Sequence, residues 1–495
     1  MGIERSLRQL PGSRSPGRPL PVHFASLRRS RCGGVAVSLA ARACLVCAML
    51  IALGSAPSGS SRAQPALRPL SLEEAIRIAL DASPDLATAE HRVSAARAAL
   101  EQTEAAFYPQ LRMSSGYAAT NDPVQAFTMA LGQRAFDPTA DFNDPATTDN
   151  LNVRFRAIYS IYNGGRDRAG REAALAKVEA QQQQLAAAQN SLVLEVTRAF
   201  YTIGKARRLV EVERAATASM EANLELATSR FEQGLALKSD VLDAEVRLAE
   251  ARERLVRART ALARSHTLFR TALGVGESEP VTASEEIDGA DPEAAALQSD
   301  AADALRDGSQ ALDVSRRPEW QAAQRAAAAL EQQLRAASGG YLPRVDAFAN
   351  YDLNSGLADE FEDSWIAGVN FEIDFFDGFL TRSRVDESRA RVLEAREQLR
   401  RILLDLQAEA RQAELGVQEA AARLATSART VAQAEESLEI AKERYAGGLA
   451  LLTQVLDAEA ALSAARQRRI AARADYRITR ASLNWALGRP WTEWQ

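Results

Sequence analysis

Two hydrophobic periods alternate along this chain, and the alternation occurs twice. Over residues 151–161 the odd positions are Leu, Val, Phe, Ala, Tyr and Ile, while the even positions include Asn152, Arg154, Arg156 and Ser160. Strict two-residue alternation predicts a β-strand with one apolar face. Residues 365–375 repeat the pattern, with apolar or aromatic odd positions against Asn370, Glu372 and Asp374. Weaker strands of the same kind fall at 110–118 and 344–353, so each half of the chain supplies a two-stranded hairpin. About ten residues is the length of a membrane-spanning strand. By itself the alternation fits a half-buried soluble sheet equally well.

Between these hairpins the period becomes helical. Residues 166–232 hold no proline and only Gly170 and Gly204, and residues 380–446 hold no proline and only Gly416. Each predicts a rod of roughly 100 Å at ~1.5 Å per residue. Val178, Leu185, Leu192 and Ala199, with Val196, Ile203, Val210 and Leu224, fall at coiled-coil spacing on an alanine-rich seam that permits close packing. Half-length helices from about Ser239 to Ala272 and from Thr453 to Ala486 run back. Helices ending at Phe107 and Tyr341 supply the other half of the return path. The first of these starts at Pro84 and is stopped by Pro109. Ahead of it, Leu72 to Leu80 reads as a short helix capped by Ser71, with Glu73 and Glu74 in its first turn. Residues 118–150, with Asn121, Asp122, Pro123, Pro138, Asn143 and Pro145, read as a long irregular loop.

The two halves are copies. RFEQGLALKSDVLDAE at 230–245 returns as RYAGGLALLTQVLDAE at 444–459, and Gly164, Leu273 and Gly274 return as Gly378, Leu487 and Gly488, all at an offset of 214 residues. Upstream, Pro84, Pro109 and Tyr117 return as Pro318, Pro343 and Tyr351 at an offset of 234. The first copy is therefore 20 residues longer, and the excess lies between Tyr117 and Gly164. Each copied stretch has a helix-stop glycine, a short loop and a polar cap at Ser239 or Thr453, as expected of the tip of a helical hairpin. The division is then 64–274 for the first repeat, 275–315 for an Asp, Glu, Ser and Gly-rich connection, and 316–495 for the second. The connection, with helical patches such as Ala301–Leu305, reads as a belt around the middle of the rod.

Residues 1–63 stand apart. They are basic, carry an apolar run from Ala43 to Leu53, and offer Ser61-Arg62-Ala63 as a cleavage site, which predicts a cleavable export signal. Arg42 keeps the run below the ~18 residues of a membrane span. Cys32, Cys44 and Cys47, all three cysteines of the chain, lie within this leader, and neither Cys44 nor Cys47 follows a small-residue lipobox. A mature chain would carry no disulfide, thiol chemistry or lipid anchor. Losing the leader removes nine arginines and Glu4 and takes the formal net charge from −5 to −13, which argues against nucleic acid as a partner.

The tip sequences, the Tyr162-Asn163-Gly164-Gly165-Arg166 and Phe376-Asp377-Gly378 strand-to-helix turns, the Leu-Gly helix ends and the duplication together resemble the TolC-type outer-membrane efflux channel family. The likeness covers everything after the leader. It departs at Gly378-Phe379, where the family usually has a second glycine and then a basic residue. The resemblance implies a mainly α fold with transmembrane β. Internally duplicated antiparallel coiled-coil helices form a periplasmic α-barrel, and four strands per chain contribute to a 12-stranded trimeric β-barrel. It implies an outer-membrane exit duct that receives cargo from an inner-membrane transporter, of RND or ABC type, through a periplasmic adaptor. The strand count leads to a trimer independently. Four strands leave two unpaired edges that lipid cannot satisfy, eight strands enclose a filled lumen, and twelve leave a pore. The competing reading is a periplasmic coiled-coil scaffold or the adaptor itself, but an adaptor should carry a lipoyl-like β-domain split around a single hairpin.

By position, Asp240, Asp243, Tyr445 and Asp457 match the family's periplasmic gate. Asp240 and Asp243 also suit the first turn of any helix, where the dipole favours carboxylates. Ala450 stands where some members carry a gate arginine, and Gln454 where they carry a second aspartate. Gly234, Leu235 and Leu237, with Gly448, Leu449 and Leu451, are the expected adaptor-contacting tips. His91 and His266, expected on helix surfaces, are too far apart to suggest a zinc site. No nucleophile-elbow, phosphate-loop or zincin motif is present, so neither an enzyme nor a cofactor is expected.

Overall fold

The computed structural model describes residues 68–141, 143–276, 279–284, 313–356 and 360–493. The leader with its three cysteines lies outside the described residues, as do most of the connection at 275–315 and its helical patch at Ala301–Leu305. The first repeat begins with β1 (Arg68–Leu70), α1 (Leu72–Ala82) and α2 (Pro84–Glu104). It continues through β2 (Gln110–Thr120), α3 (Pro123–Gly132), β3 (Thr148–Asn163), α4 (Arg166–Glu232) and α5 (Lys238–Leu273). After β4 (Val281–Ala283), the second repeat runs α6 (Pro318–Ser338), β5 (Arg344–Ser355), β6 (Glu362–Glu372), α7 (Leu380–Ala446) and α8 (Leu452–Ala486).

Both long helices span the residues expected of them, 67 each. The Ser71 cap is also present as a reciprocal pair. Ser71 Oγ accepts from the Glu74 N–H at 3.2 Å, and Glu74 accepts from the Ser71 N–H at 3.1 Å. The four strands form one antiparallel sheet in the order β2-β3-β5-β6. Leu111, Met113, Phe155, Trp365, Val369 and Phe371 occupy one face and are all exposed in the single chain. The opposite face is polar, with Arg154 against Asp352 at 2.6 Å and Asn152 donating to Asn354 at 3.0 Å.

Three expectations are corrected. The irregular loop at 118–150 contains α3, because Asp122 accepts from the Val124 and Gln125 N–H groups and Pro123 stands at the first helical position. This helix lies on the polar face at the end of the sheet remote from α4 and α7: Gly132 approaches Asn354, and Arg134 reaches Glu362 at 3.1 Å. The strand expected at 365–375 ends at Glu372, opposite Arg344; the preceding Pro343 has no N–H with which to extend the ladder. Ser239 and Thr453 are not caps, since the helices start one residue before them, at Lys238 and Leu452. The alternation of β3 also shifts at a bulge between Ser160 and Tyr162.

The main core lies halfway along α4, where Val193, Val196, Phe200 and Ile203 meet Phe269 and Leu273 of α5 and Ile76 of α1. Each large side chain buried here contributes about 1.5–3 kcal/mol. β1 and β4 pair in parallel against this core, and Arg207 donates to Ala283 O at 2.8 Å. In the second repeat, Leu406 and Ala410 of α7 pack with Ala486 of α8 at the equivalent level. There Arg317, 2% exposed, stacks on Trp485 and pairs with Glu319 and Glu409.

Candidate functional site at the helical tips

The ends of α4 and α7 close in the same way. Leu235 N–H donates to Arg230 O at 2.8 Å and Gly234 N–H to Phe231 O at 2.9 Å, a Schellman pair that Leu449–Arg444 and Gly448–Tyr445 repeat at 2.8 and 3.1 Å. The motif needs a left-handed residue, and Gly234 and Gly448 supply it with φ of 72° and 71°. The tight turn throws the next side chains outward. Leu235, Leu237, Leu449 and Leu451 are 73%, 68%, 75% and 65% exposed.

Leu237 is the N-cap residue of α5, and Asp240 reaches back to accept its N–H at 3.1 Å. Gln454 occupies the equivalent place in α8, where the Leu451 carbonyl accepts the Gln454 N–H at 3.1 Å. Tyr445 is half-buried among the apolar side chains of both hairpins, Leu452 and Leu456 included, with the Arg230 guanidinium 4.2 Å from its ring centroid. Within one chain, no hydrogen bond among the described residues joins Tyr445 to Asp240. Asp457 pairs with Arg247 of α5 at 2.8 Å, and Asp243 is exposed on the face of α5.

Above the tips, α4 and α8 run antiparallel and are joined by polar contacts about two turns apart. Arg198 donates to Ser482 at 3.2 Å and Lys205 to Asp475 at 3.1 Å. Glu213 accepts from Gln467 and also faces Arg254 at 3.4 Å. Glu459, 7% exposed, accepts from Ser219 and Asn223, each at 2.6 Å. Sequence reasoning missed Arg247, Glu213 and Glu459. The duplication even misleads for the last, because its copy Glu245 is exposed. α8 lies between the hairpins at the tip and α5 at their margin, so one motif meets two environments.

At the far end of the helices, Gly164 and Gly339 bring the repeats into backbone contact: a Cβ on Gly164 would lie 2.2 Å from Gly339 O. The second strand-to-helix turn keeps the geometry of the first despite its altered sequence, since Phe379 takes φ of 68° where Gly165 has 77°. Phe379 stacks edge-on against Phe376 with centroids 5.4 Å apart, which offsets part of the cost of about 1–2 kcal/mol for a left-handed side-chain-bearing residue.

The sheet, apolar on one face and polar on the other, continues into two long helical hairpins. The family model described as "Outer membrane efflux protein" matches residues 75–275 and 309–489. The chain belongs to the outer membrane efflux protein family. Protein CyaE of Bordetella pertussis is 27% identical over 430 residues, covering 85% of this chain and 84% of that protein. Outer membrane protein TolC of Vibrio cholerae is 24% identical over 425 residues, covering 84% and 90%. Among solved structures, CusC superposes with a TM-score of 0.72 at 19% identity, over 88% of this chain and 97% of that one.

Family membership makes the chain an outer-membrane efflux channel subunit, with β2, β3, β5 and β6 as its contribution to the membrane wall and the helices on the periplasmic side. Among the described residues no helix is long and apolar enough to cross a membrane. Nor do they contain a group of three or more His, Cys, Asp or Glu side chains able to hold a metal ion.

Proposed function

We propose that three copies of this chain close into one channel that acts as the passive exit duct of a tripartite efflux pump or a type I secretion system. The observation that carries this reading is the single sheet β2-β3-β5-β6, whose edge strands β2 and β6 have no partner among the described residues. An open edge in hydrocarbon leaves backbone groups unsatisfied, so the edges must meet those of other copies. Three copies supply twelve strands and leave a lumen. The family already consists of transport channels, and a duct needs no catalytic group or cofactor.

At the periplasmic end, Asp240, Asp243, Tyr445 and Asp457 form the gate, and the exposed leucines at 235, 237, 449 and 451 receive the helical hairpin of an adaptor. An inner-membrane transporter of RND or ABC type delivers and chooses the cargo. Four solvent-facing leucines flanked by left-handed glycines support the docking role, because folding of a single chain gives them nothing to cover. Replacing the four leucines with Asp is expected to abolish dye efflux in cells carrying the cognate adaptor and pump, while the protein stays oligomeric in the outer membrane. Undiminished efflux would contradict docking at the tips.

A further inference from the structure

One row of the sheet's polar face is cationic without a counter-charge. Arg112 of β2 and Arg156 of β3 are directly opposite each other, and the row continues through Asn350 and Ile366. Both arginines are exposed, and neither forms an ion pair among the described residues. The two flanking rows contain one carboxylate, Asp352, and Arg154 holds it at 2.6 Å. Beyond them come Glu362, held by Arg134 at 3.1 Å, and Asp346, held by Arg344. Both lie two rows off, roughly 13 Å along the strands and past the ~8 Å over which physiological salt leaves charges coupled.

Like charges set directly opposite on neighbouring strands weaken a sheet. Packing therefore gives no reason for Arg112 and Arg156 to share a row. The apolar face carrying Leu111, Met113, Phe155 and Trp365 must meet lipid, which turns this row to the lumen. Resting on the trimeric channel reading above, we propose that Arg112 and Arg156 of three chains form a lumenal belt of guanidinium groups that binds anionic solutes through their carboxylates or phosphates. A guanidinium presents paired donors that match either group bidentately, and a ring of such charges inside a low-dielectric wall concentrates counter-ions. The acidic tips and the basic belt then impose opposite preferences at the two ends of the conduit. A solute bearing both charges is attracted at each, whereas a simple cation is attracted at the tips only.

Citrate is a suitable probe, since its three carboxylates can span neighbouring guanidinium groups. Purified full-length protein is recorded in planar bilayers with citrate added on the barrel side. The parent channel is expected to show concentration-dependent block. The half-blocking concentration should rise by about tenfold or more in the Arg112→Gln/Arg156→Gln variant and return towards the parent value in Arg112→Lys/Arg156→Lys. A conducting parent that citrate does not block, or a glutamine variant blocked as strongly as the parent, would overturn the belt while leaving the channel intact. A protein that forms no conducting pore would overturn the channel reading and the belt with it.

Discussion

Arg247 of α5 reaches Asp457 of α8 at 2.8 Å and thereby joins the two helical hairpins of one chain close to their tips. With alanine at position 450, Asp457, the proposed gate carboxylate of the second repeat, finds its cation on the other hairpin. Both side chains are substantially exposed, at 41% and 66%, so the pair contributes only about 0.2–1 kcal/mol per chain.

Removing this pair should loosen the tips without unfolding the rod. Arg247→Ala is expected to raise single-channel conductance in planar bilayers modestly. Asp240→Asn with Asp457→Asn should reduce cation preference and sensitivity to trivalent metal ions. Parent-like conductance and selectivity in all of these variants would place the constriction elsewhere.

Glu459 should matter far more than its copy in the first repeat. Glu459→Ala leaves the Ser219 hydroxyl and the Asn223 amide without their buried acceptor, a loss of about 1–3 kcal/mol. Glu245→Ala, on an exposed face, should stay within about 0.5 kcal/mol of the parent. Thermal unfolding of the two variants side by side checks the contrast, and equal losses would contradict it.

Adjacent glycines at the first strand-to-helix turn should also differ. Both adopt φ above 70°, so alanine at either carries a cost of about 1–2 kcal/mol. Only at Gly164 does the new Cβ also strike backbone, at Gly339 O; around Gly165 there is open space. Gly164→Ala should therefore deplete the assembled protein from the outer-membrane fraction, and Gly165→Ala should largely retain it.

His266 gives the periplasmic helices an acid sensitivity. Its imidazole is held below the ordinary value of 6.5 by partial burial first, and then by the positive charges of Arg270 and Arg207. His266 lies on a helix as expected, partly buried, and its Nδ1 has no hydrogen-bond partner among the described residues. A depressed folded pKa favours the neutral ring. The contribution is complete above pH 6.5 and is lost as pH falls from there through the folded value. Thermal midpoints measured at about pH 7.5 and pH 5 should diverge more for the parent than for His266→Gln.

The long helices were legible because proline is absent from both and because each ends at a glycine that a Schellman turn requires. The strands were legible where one face meets lipid and the other a polar lumen, as in residues 151–159. What the chain concealed was long-range or dependent on environment. α3 hides in a proline- and asparagine-rich stretch whose Asp122-Pro123 pair starts a helix rather than a loop. A hydroxyl at Ser239 reads as a cap in the sequence, whereas the carboxylate one residue later is the group that reaches back to Leu237. Glu459 and Arg247 owe their partners to the way one hairpin lies against the other, and internal repetition cannot encode that asymmetry.

The number of chains in the assembled protein tests the central claim most directly. Native mass spectrometry of the full-length protein extracted from outer membranes, with its processed mass measured in parallel under denaturing conditions, should give a single species of three chains. A species of two chains, or a stable monomer in the membrane extract, would contradict closure of the four-stranded sheet into a twelve-stranded channel.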